Sequence, residues 1–286
     1  MKFLLFALVL FVQTVSAFPL KPDGITLNLK LNPLSFFDED QLAAAYNFDG
    51  IVSLSNCSGS LVRFTHSRDT DLAMVLTNGH CLGDFPEPGT AVVNRAERRS
   101  FSIMGPTGQT VGRVNSTKIL YGTMTKTDMA LYVLDKTHQQ IQSEFRAKSL
   151  TLASDYSRIN DSIEVISGYW RRGYSCKVEA QVYSLKESRW TFFDSVRYSR
   201  PGCETIGGTS GSPVVLAGTR TVVAVNNTGN DDGDRCTMNN PCEVDERGQV
   251  TAQQGYSYAQ QTSWIYTCLD SAGNLNLNQA GCKLAK

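Results

Sequence analysis

The sequence predicts an all-β protein, on three observations. From residue 51 onward the apolar runs are short and alternate with polar residues, the period of half-buried strands. Clusters of Gly, Asn, Asp and Ser separate the runs at close intervals. No internal repeat, heptad or low-complexity tract interrupts this texture. The runs in the first half are 51–54, 59–64, 73–77, 90–93, 101–104, 110–114 and 129–134. Those in the second half are 162–167, 176–185, 191–196, 213–216 and 221–225. Many short strands broken by turn residues make a sandwich or a barrel.

The chain ahead of residue 48 has a different character. Met1-Lys2 precedes an apolar run over 3–12, and Val15-Ser16-Ala17 supplies the small residues that a signal peptidase prefers. Residues 1–17 therefore read as a signal peptide, too short in its apolar part to span a bilayer. An extension follows over 18–47, with Pro19, Pro22 and Pro33, then Asp38-Glu39-Asp40 ahead of an alanine-rich run that suggests one short helix. It is either a propeptide or an arm packed on the body.

Lysine and arginine number 27, as do aspartate and glutamate, so no charge excess draws the chain to nucleic acid or to an anionic membrane. Arg95, Arg98, Arg99, Arg171 and Arg172 read as solvated loop residues. All eight cysteines, Cys57, Cys81, Cys176, Cys203, Cys236, Cys242, Cys268 and Cys282, fall after the signal segment. An even number in an exported chain reads as disulfides. Zinc is the competing reading, and no close C-x-x-C pair supports it. The acid-rich stretch Asn230–Cys236 lacks the spacing of a calcium loop and reads as a solvated, disulfide-closed loop. Sequons stand at Asn56, Asn115, Asn160 and Asn226.

The chemistry concentrates in Thr205-Ile206-Gly207-Gly208-Thr209-Ser210-Gly211-Ser212-Pro213. Glycines on both sides of Ser210 leave room for a substrate carbonyl, and the N–H groups of Gly208 and Ser210 could converge on one oxyanion. A serine nucleophile needs a base and an acid to orient it. The three histidines are His66, His80 and His138, and none follows Ser210. The Ser…Asp…His order of α/β-hydrolases is thereby excluded. His66 and His138 lie in polar surroundings and read as exposed loop residues.

His80 ends the run Ala73-Met74-Val75-Leu76-Thr77-Asn78-Gly79-His80-Cys81. Asn56-Cys57-Ser58-Gly59-Ser60-Leu61-Val62 lies upstream and Thr127-Asp128-Met129-Ala130-Leu131 downstream. Together with the Ser210 motif these segments resemble, in order, the C-G-G-S-L-I, T-A-A-H-C, D-I-A-L-L and G-D-S-G-G-P patterns of the chymotrypsin/trypsin-like serine proteases. The resemblance covers about residues 51–265. It implies two six-stranded antiparallel β-barrels, about 48–150 and 151–258, within one domain over 48–286. The active site would lie in the cleft between them, and a closing helix and tail would occupy 259–286. It implies His80 as general base, Asp128 as its orienting acid, Ser210 as nucleophile, and Gly208 and Ser210 as the oxyanion hole. It pairs Cys57 with Cys81. Sequence proximity then suggests Cys236 with Cys242 and Cys268 with Cys282, leaving Cys176 with Cys203, one connectivity among many.

The resemblance further implies a secreted or periplasmic endopeptidase acting as a monomer on peptide or protein substrates. No metal or other cofactor, no nucleic acid and no stable membrane insertion are expected. The alternative is an inactive binding or adhesion protein on the same scaffold; an esterase with the same triad is a third reading. The nucleophile motif is closer to the T-T-G-G-N-S-G-S-P type of bacterial glutamyl endopeptidases, although Asn226 stands where that subgroup offers a histidine. Asn226, Asn227 and Thr228 replace the Ser-Trp-Gly that commonly lines the substrate channel. Glu204, six residues before Ser210, stands where basic-specific members place the acid of the pocket floor, with Thr205 beside it. A preference for Arg or Lys is expected.

Zymogens of this family pair a newly freed Ile N-terminus with an aspartate just before the nucleophile. Thr209 occupies that position, and the only Ile-Val pair, Ile51-Val52, follows Gly50. A buried ammonium beside Thr209 would have no counter-charge. The oxyanion hole is therefore expected to be preformed, with Thr209 bonding locally.

Overall fold

Strands rich in Val, Ile and aromatic side chains cannot satisfy their backbone alone, and closure into a barrel removes every free edge. The computed structural model describes residues 46–286 and shows that solution adopted twice. The signal segment and nearly all of the 18–47 extension, with its expected helix, lie outside the described residues.

The first barrel uses β1 (Ile51–Ser53), β2 (Ser58–Arg63), β3 (Leu72–Thr77), β5 (Ser100–Met104), β6 (Thr110–Thr123) and β7 (Met129–Thr137). Its order is β1-β5-β6-β7-β3-β2, and a β1–β2 pairing closes it. β4 (Ala91–Ala96) lies against β6 outside the ring. After β7 comes a short helix, α1 (His138–Phe145), which the sequence reading missed. Its start carries a capping box: Thr137 Oγ1 accepts Gln140 N–H, and Gln140 Oε1 accepts Thr137 N–H. β8 (Leu150–Leu152) then runs parallel to β2 of the first barrel and to a strand of the second.

The second barrel uses β9 (Ser162–Ser167), β10 (Arg172–Glu187), β11 (Trp190–Tyr198), β12 (Pro213–Leu216), β13 (Thr221–Gly229) and β16 (Ser257–Gln261). The order β13-β12-β9-β10-β11-β16 returns to β13, and every pairing in the ring is antiparallel. β14 (Cys242–Val244) and β15 (Val250–Thr251) form a small flap on β10.

All twelve expected runs lie within or largely overlap strands. The chain end departs from expectation. A closing helix and tail were expected over 259–286; residues 257–261 are instead β16, and the helix that follows is a 3-10 turn, Ser263–Cys268. The reason is closure: without a strand between β11 and β13 the second barrel would keep two open edges. The buried Gln260 amide is satisfied there by the Ser195 hydroxyl, its Nε2 donating at 3.0 Å. Trp264 and Ile265 are buried.

Separate apolar cores fill the two barrels, the first around Val75, Phe101 and Tyr132 and the second around Val165, Val196 and Val214. A third lies between them and draws on Leu76, Leu131, Val225, Trp264 and Leu284. The disulfides are Cys57–Cys81, Cys176–Cys203, Cys236–Cys242 and Cys268–Cys282. Four such bonds indicate an extracytoplasmic protein. Among the described residues no helix is long and apolar enough to cross a membrane.

Candidate active site

β3 delivers His80. Its last residues are buried, and the chain then turns through a 3-10 segment, Gly79–Cys81, that the Cys57–Cys81 bond ties to the start of β2. Gly79 is required there, because a Cβ would lie 2.0 Å from the Thr123 carbonyl. Arg99, read from the sequence as a solvated loop residue, holds the same turn: its guanidinium donates to Cys81 O and to Asn56 Oδ1, both at 2.6 Å.

Asp128 sits one residue ahead of β7, 1 % exposed, with Asn78 Nδ2 donating to its carbonyl at 2.8 Å. Its carboxylate meets His80 twice. Oδ2 lies 2.7 Å from Nδ1, and Oδ1 accepts the His80 backbone N–H at 3.1 Å. An ionised carboxylate only accepts, so Nδ1 carries the proton and Nε2 is left with its lone pair. Burial pushes the imidazole pKa down, but the charge and hydrogen bond of Asp128, helped by the charge of Glu187, outweigh it and hold the pKa above 6.5. Cys57, His80 and Cys81 bring two sulfurs and a ring nitrogen together, but both sulfurs are in the disulfide.

The Ser210 loop is held by its carbonyls. Gly207 O accepts Trp170 Nε1 at 2.7 Å, and Thr209 O accepts Asn226 Nδ2 at 3.1 Å. A trans peptide points its N–H opposite to its C=O, so the Gly208 and Ser210 N–H groups point away from these two anchors. Neither N–H finds an acceptor among the described residues. Gly208 and Gly211 have φ of +87° and +82°, which glycine adopts without strain. Ser58 of the first barrel fastens the loop from the other side: its N–H donates to Ser210 O at 2.8 Å and its Oγ to Gly208 O at 3.2 Å. Ser210 Oγ itself donates to Asn227 O at 3.4 Å.

His80, Asp128 and Ser210 border one cavity, with Thr205, Asn226, Asn227 and Thr228. Asn226 stands where the family commonly lines the substrate channel. Its amide is turned inward instead, donating to Thr209 and accepting the Tyr198 hydroxyl at 2.9 Å. At 2 % exposure its sequon is sealed. Thr209 bonds locally, as expected, its N–H and hydroxyl both donating to Ile206 O. Ile51 lies inside β1, between β2 and β5.

Glu204 does not reach the cavity. It is exposed, and its carboxylate folds back onto the Gly202 N–H, with 3.0 Å to the nearer oxygen. Glu187 and Asp231 border the cavity in its place. Glu187 closes β10 at a hairpin tip, and nothing in a single sequence separates it from other charged hairpin tips. His138 also departs from the sequence reading. It is buried at the start of α1, with Nδ1 2.7 Å from Ser149 Oγ. Burial pushes its pKa down to about 4. His66 is exposed and stacks on Phe64.

A model of the trypsin-like peptidase domain matches residues 57–225. The chain is similar to solved protease structures. One is the MamO protease domain from Magnetospirillum magneticum, 13 % identical, with 79 % of this chain and 98 % of that chain covered and a TM-score of 0.47. Another is protease Anisep from Arthrobacter nicotinovorans, 15 % identical, covering 76 % and 90 %, TM-score 0.45. A third is a Nocardiopsis protease, 14 % identical, covering 75 % and 91 %, TM-score 0.42. No curated protein matches the chain.

Proposed function

The chain belongs to the trypsin-like peptidase family, and we propose that it is a secreted serine endopeptidase working through His80, Asp128 and Ser210. One observation carries this reading: an imidazole whose Nδ1 is held by a buried carboxylate shares a cavity with a serine flanked by two unpartnered N–H groups. The disulfides support export, for which residues 1–17 would supply the signal.

In the proposed cycle Ser210 Oγ leaves Asn227 O and turns to His80 Nε2. Oγ bonds to the peptide carbonyl carbon as its proton passes to Nε2, and Asp128 stabilises the imidazolium. The carbonyl oxygen, now an anion, is received by the N–H groups of Gly208 and Ser210, each worth about 2.7–4 kcal/mol at such a site. The C–N bond then breaks as Nε2–H protonates the leaving amine. Water repeats the sequence on the acyl-enzyme and restores Ser210. The histidine of the glutamyl endopeptidase type is absent, and the cavity is bordered by carboxylates, so an acidic substrate residue is not favoured.

His80 must be neutral to accept the proton. With its pKa held above 6.5, kcat/KM is expected to rise with pH along an acid limb whose midpoint also lies above that value. In Asp128→Asn the midpoint should fall, because the charge that raises it is gone. A wild-type midpoint below 6.5 would contradict the pairing.

A fluorophosphonate probe tests the function directly. The mature protein should be labelled on Ser210, and Ser210→Ala should not be. A folded protein that stays unlabelled would instead be a binding protein on the protease scaffold.

A further inference from the structure

The wall of the catalytic cavity has a one-sided charge. Three carboxylates border it, those of Asp128, Glu187 and Asp231, and no lysine or arginine does. Asp128 is occupied by His80. Glu187 has no such partner. It is 8 % exposed, and its Oε1 accepts the neutral Asn239 backbone N–H at 2.8 Å. Arg189, two residues along, is turned to Glu87 at 2.8 Å and lies over the Trp190 ring at 4.8 Å. Burial lifts the Glu187 pKa above the usual carboxylate value, and hydrogen bonds from Asn239 and Thr228 and the charge of His80 offset only part of that rise.

A sequestered carboxylate without a cation is costly, and a cation brought to it recovers that cost. Phe85, Met124, Trp190 and Met238 supply apolar and aromatic walls on the same cavity. They suit the methylene stem of a long basic side chain, whose charged head seeks a carboxylate. A second polar group waits there. Asn227 is 4 % exposed, borders the cavity, and its amide nitrogen has no hydrogen-bond partner. It can receive a carbonyl of the substrate chain.

We propose that Glu187 selects the substrate by receiving the guanidinium or ammonium of an arginine or lysine, in the role that sequence position assigns to Glu204. This rests on Ser210 being the nucleophile of an endopeptidase. Asp231, exposed at the cavity mouth, adds a weaker, solvent-screened attraction.

The test is a fluorogenic peptide panel in which arginine and lysine are exchanged, position by position, for citrulline and norleucine. The wild type should favour the basic members at one position. Glu187→Gln keeps the volume and the Asn239 bond, and should lower kcat/KM for the basic members by ~10- to 100-fold while neutral members stay within ~3-fold. Asp231→Asn should change the ratio by only ~2- to 3-fold. Glu204→Gln should leave it unchanged. Equal losses on basic and neutral peptides in Glu187→Gln would overturn the proposal, since they would mean that Glu187 acts only through Asn239 or His80. So would a wild type with no basic preference. Fluorophosphonate labelling separates the two levels, because the probe carries no basic side chain. A wild type that labels but ignores charge defeats the inference about Glu187 alone, whereas one that does not label defeats the endopeptidase reading beneath it.

Discussion

Ser210→Ala and His80→Ala are each expected to lower kcat/KM for peptide hydrolysis by about 10⁴- to 10⁶-fold, and the double mutant to lose no more than the worse single one. The non-additivity follows from the chemistry: a base without its nucleophile, or a nucleophile without its base, does nothing. The effects on folding should differ. Ser210 Oγ makes one long bond, at 3.4 Å, so Ser210→Ala should melt within a few degrees of the wild type. His80→Ala leaves Asp128, 1 % exposed, without the group that neutralises it. Losing a buried charge-assisted partner costs about 1–3 kcal/mol, so that mutant should melt lower. Steady-state kinetics beside calorimetry checks both statements. Near-wild-type turnover in either alanine mutant would remove the triad.

Asn226→Ala is expected to lower kcat by about 10²- to 10³-fold with a smaller change in KM, the range found when one oxyanion donor is lost. The Asn226 amide holds the Thr209 carbonyl, and that carbonyl aims the Ser210 N–H. Tyr198 in turn fixes the amide by donating to its oxygen at 2.9 Å; burial raises the phenol pKa well above 10 and keeps that proton in place. The chain Tyr198–Asn226–Thr209 is neutral throughout; under the proposed function it would take the place of the ionic pair that a freed N-terminus makes once a zymogen is activated. Adding a residue ahead of the mature N-terminus should therefore leave kcat within about twofold of its value. If blocking that amine abolished activity while Asn226→Ala was tolerated, the loop would be under ionic control after all.

The strands and the His80, Asp128 and Ser210 segments were legible because each rests on a local pattern. Alternation shows a strand whatever it pairs with, His80 and Ser210 stand beside glycines or a cysteine, and Asp128 was marked by its resemblance to the D-I-A-L-L pattern. What the sequence concealed depends on contacts across long separations. β16 was obscured because Gln260 and Gln261, polar residues, are buried, the first satisfied by the distant Ser195 and the second bonding just ahead to Ser263 and Trp264. α1 has only eight residues, too few for a period to emerge, and its capping box was its one local mark. Glu204 and Glu187 show the limit at the site itself. Offset from Ser210 pointed to the first, but the Gly202 N–H captures it locally. The second arrives at the end of a sixteen-residue strand whose reach no nearby residue encodes.

The two hydrogen bonds from Ser58 to the Ser210 loop join the first barrel to a segment of the second. They make the serine's alignment a property of both halves of the molecule at once. Separation of the barrels along their seam would break both bonds and release the loop that carries Ser210.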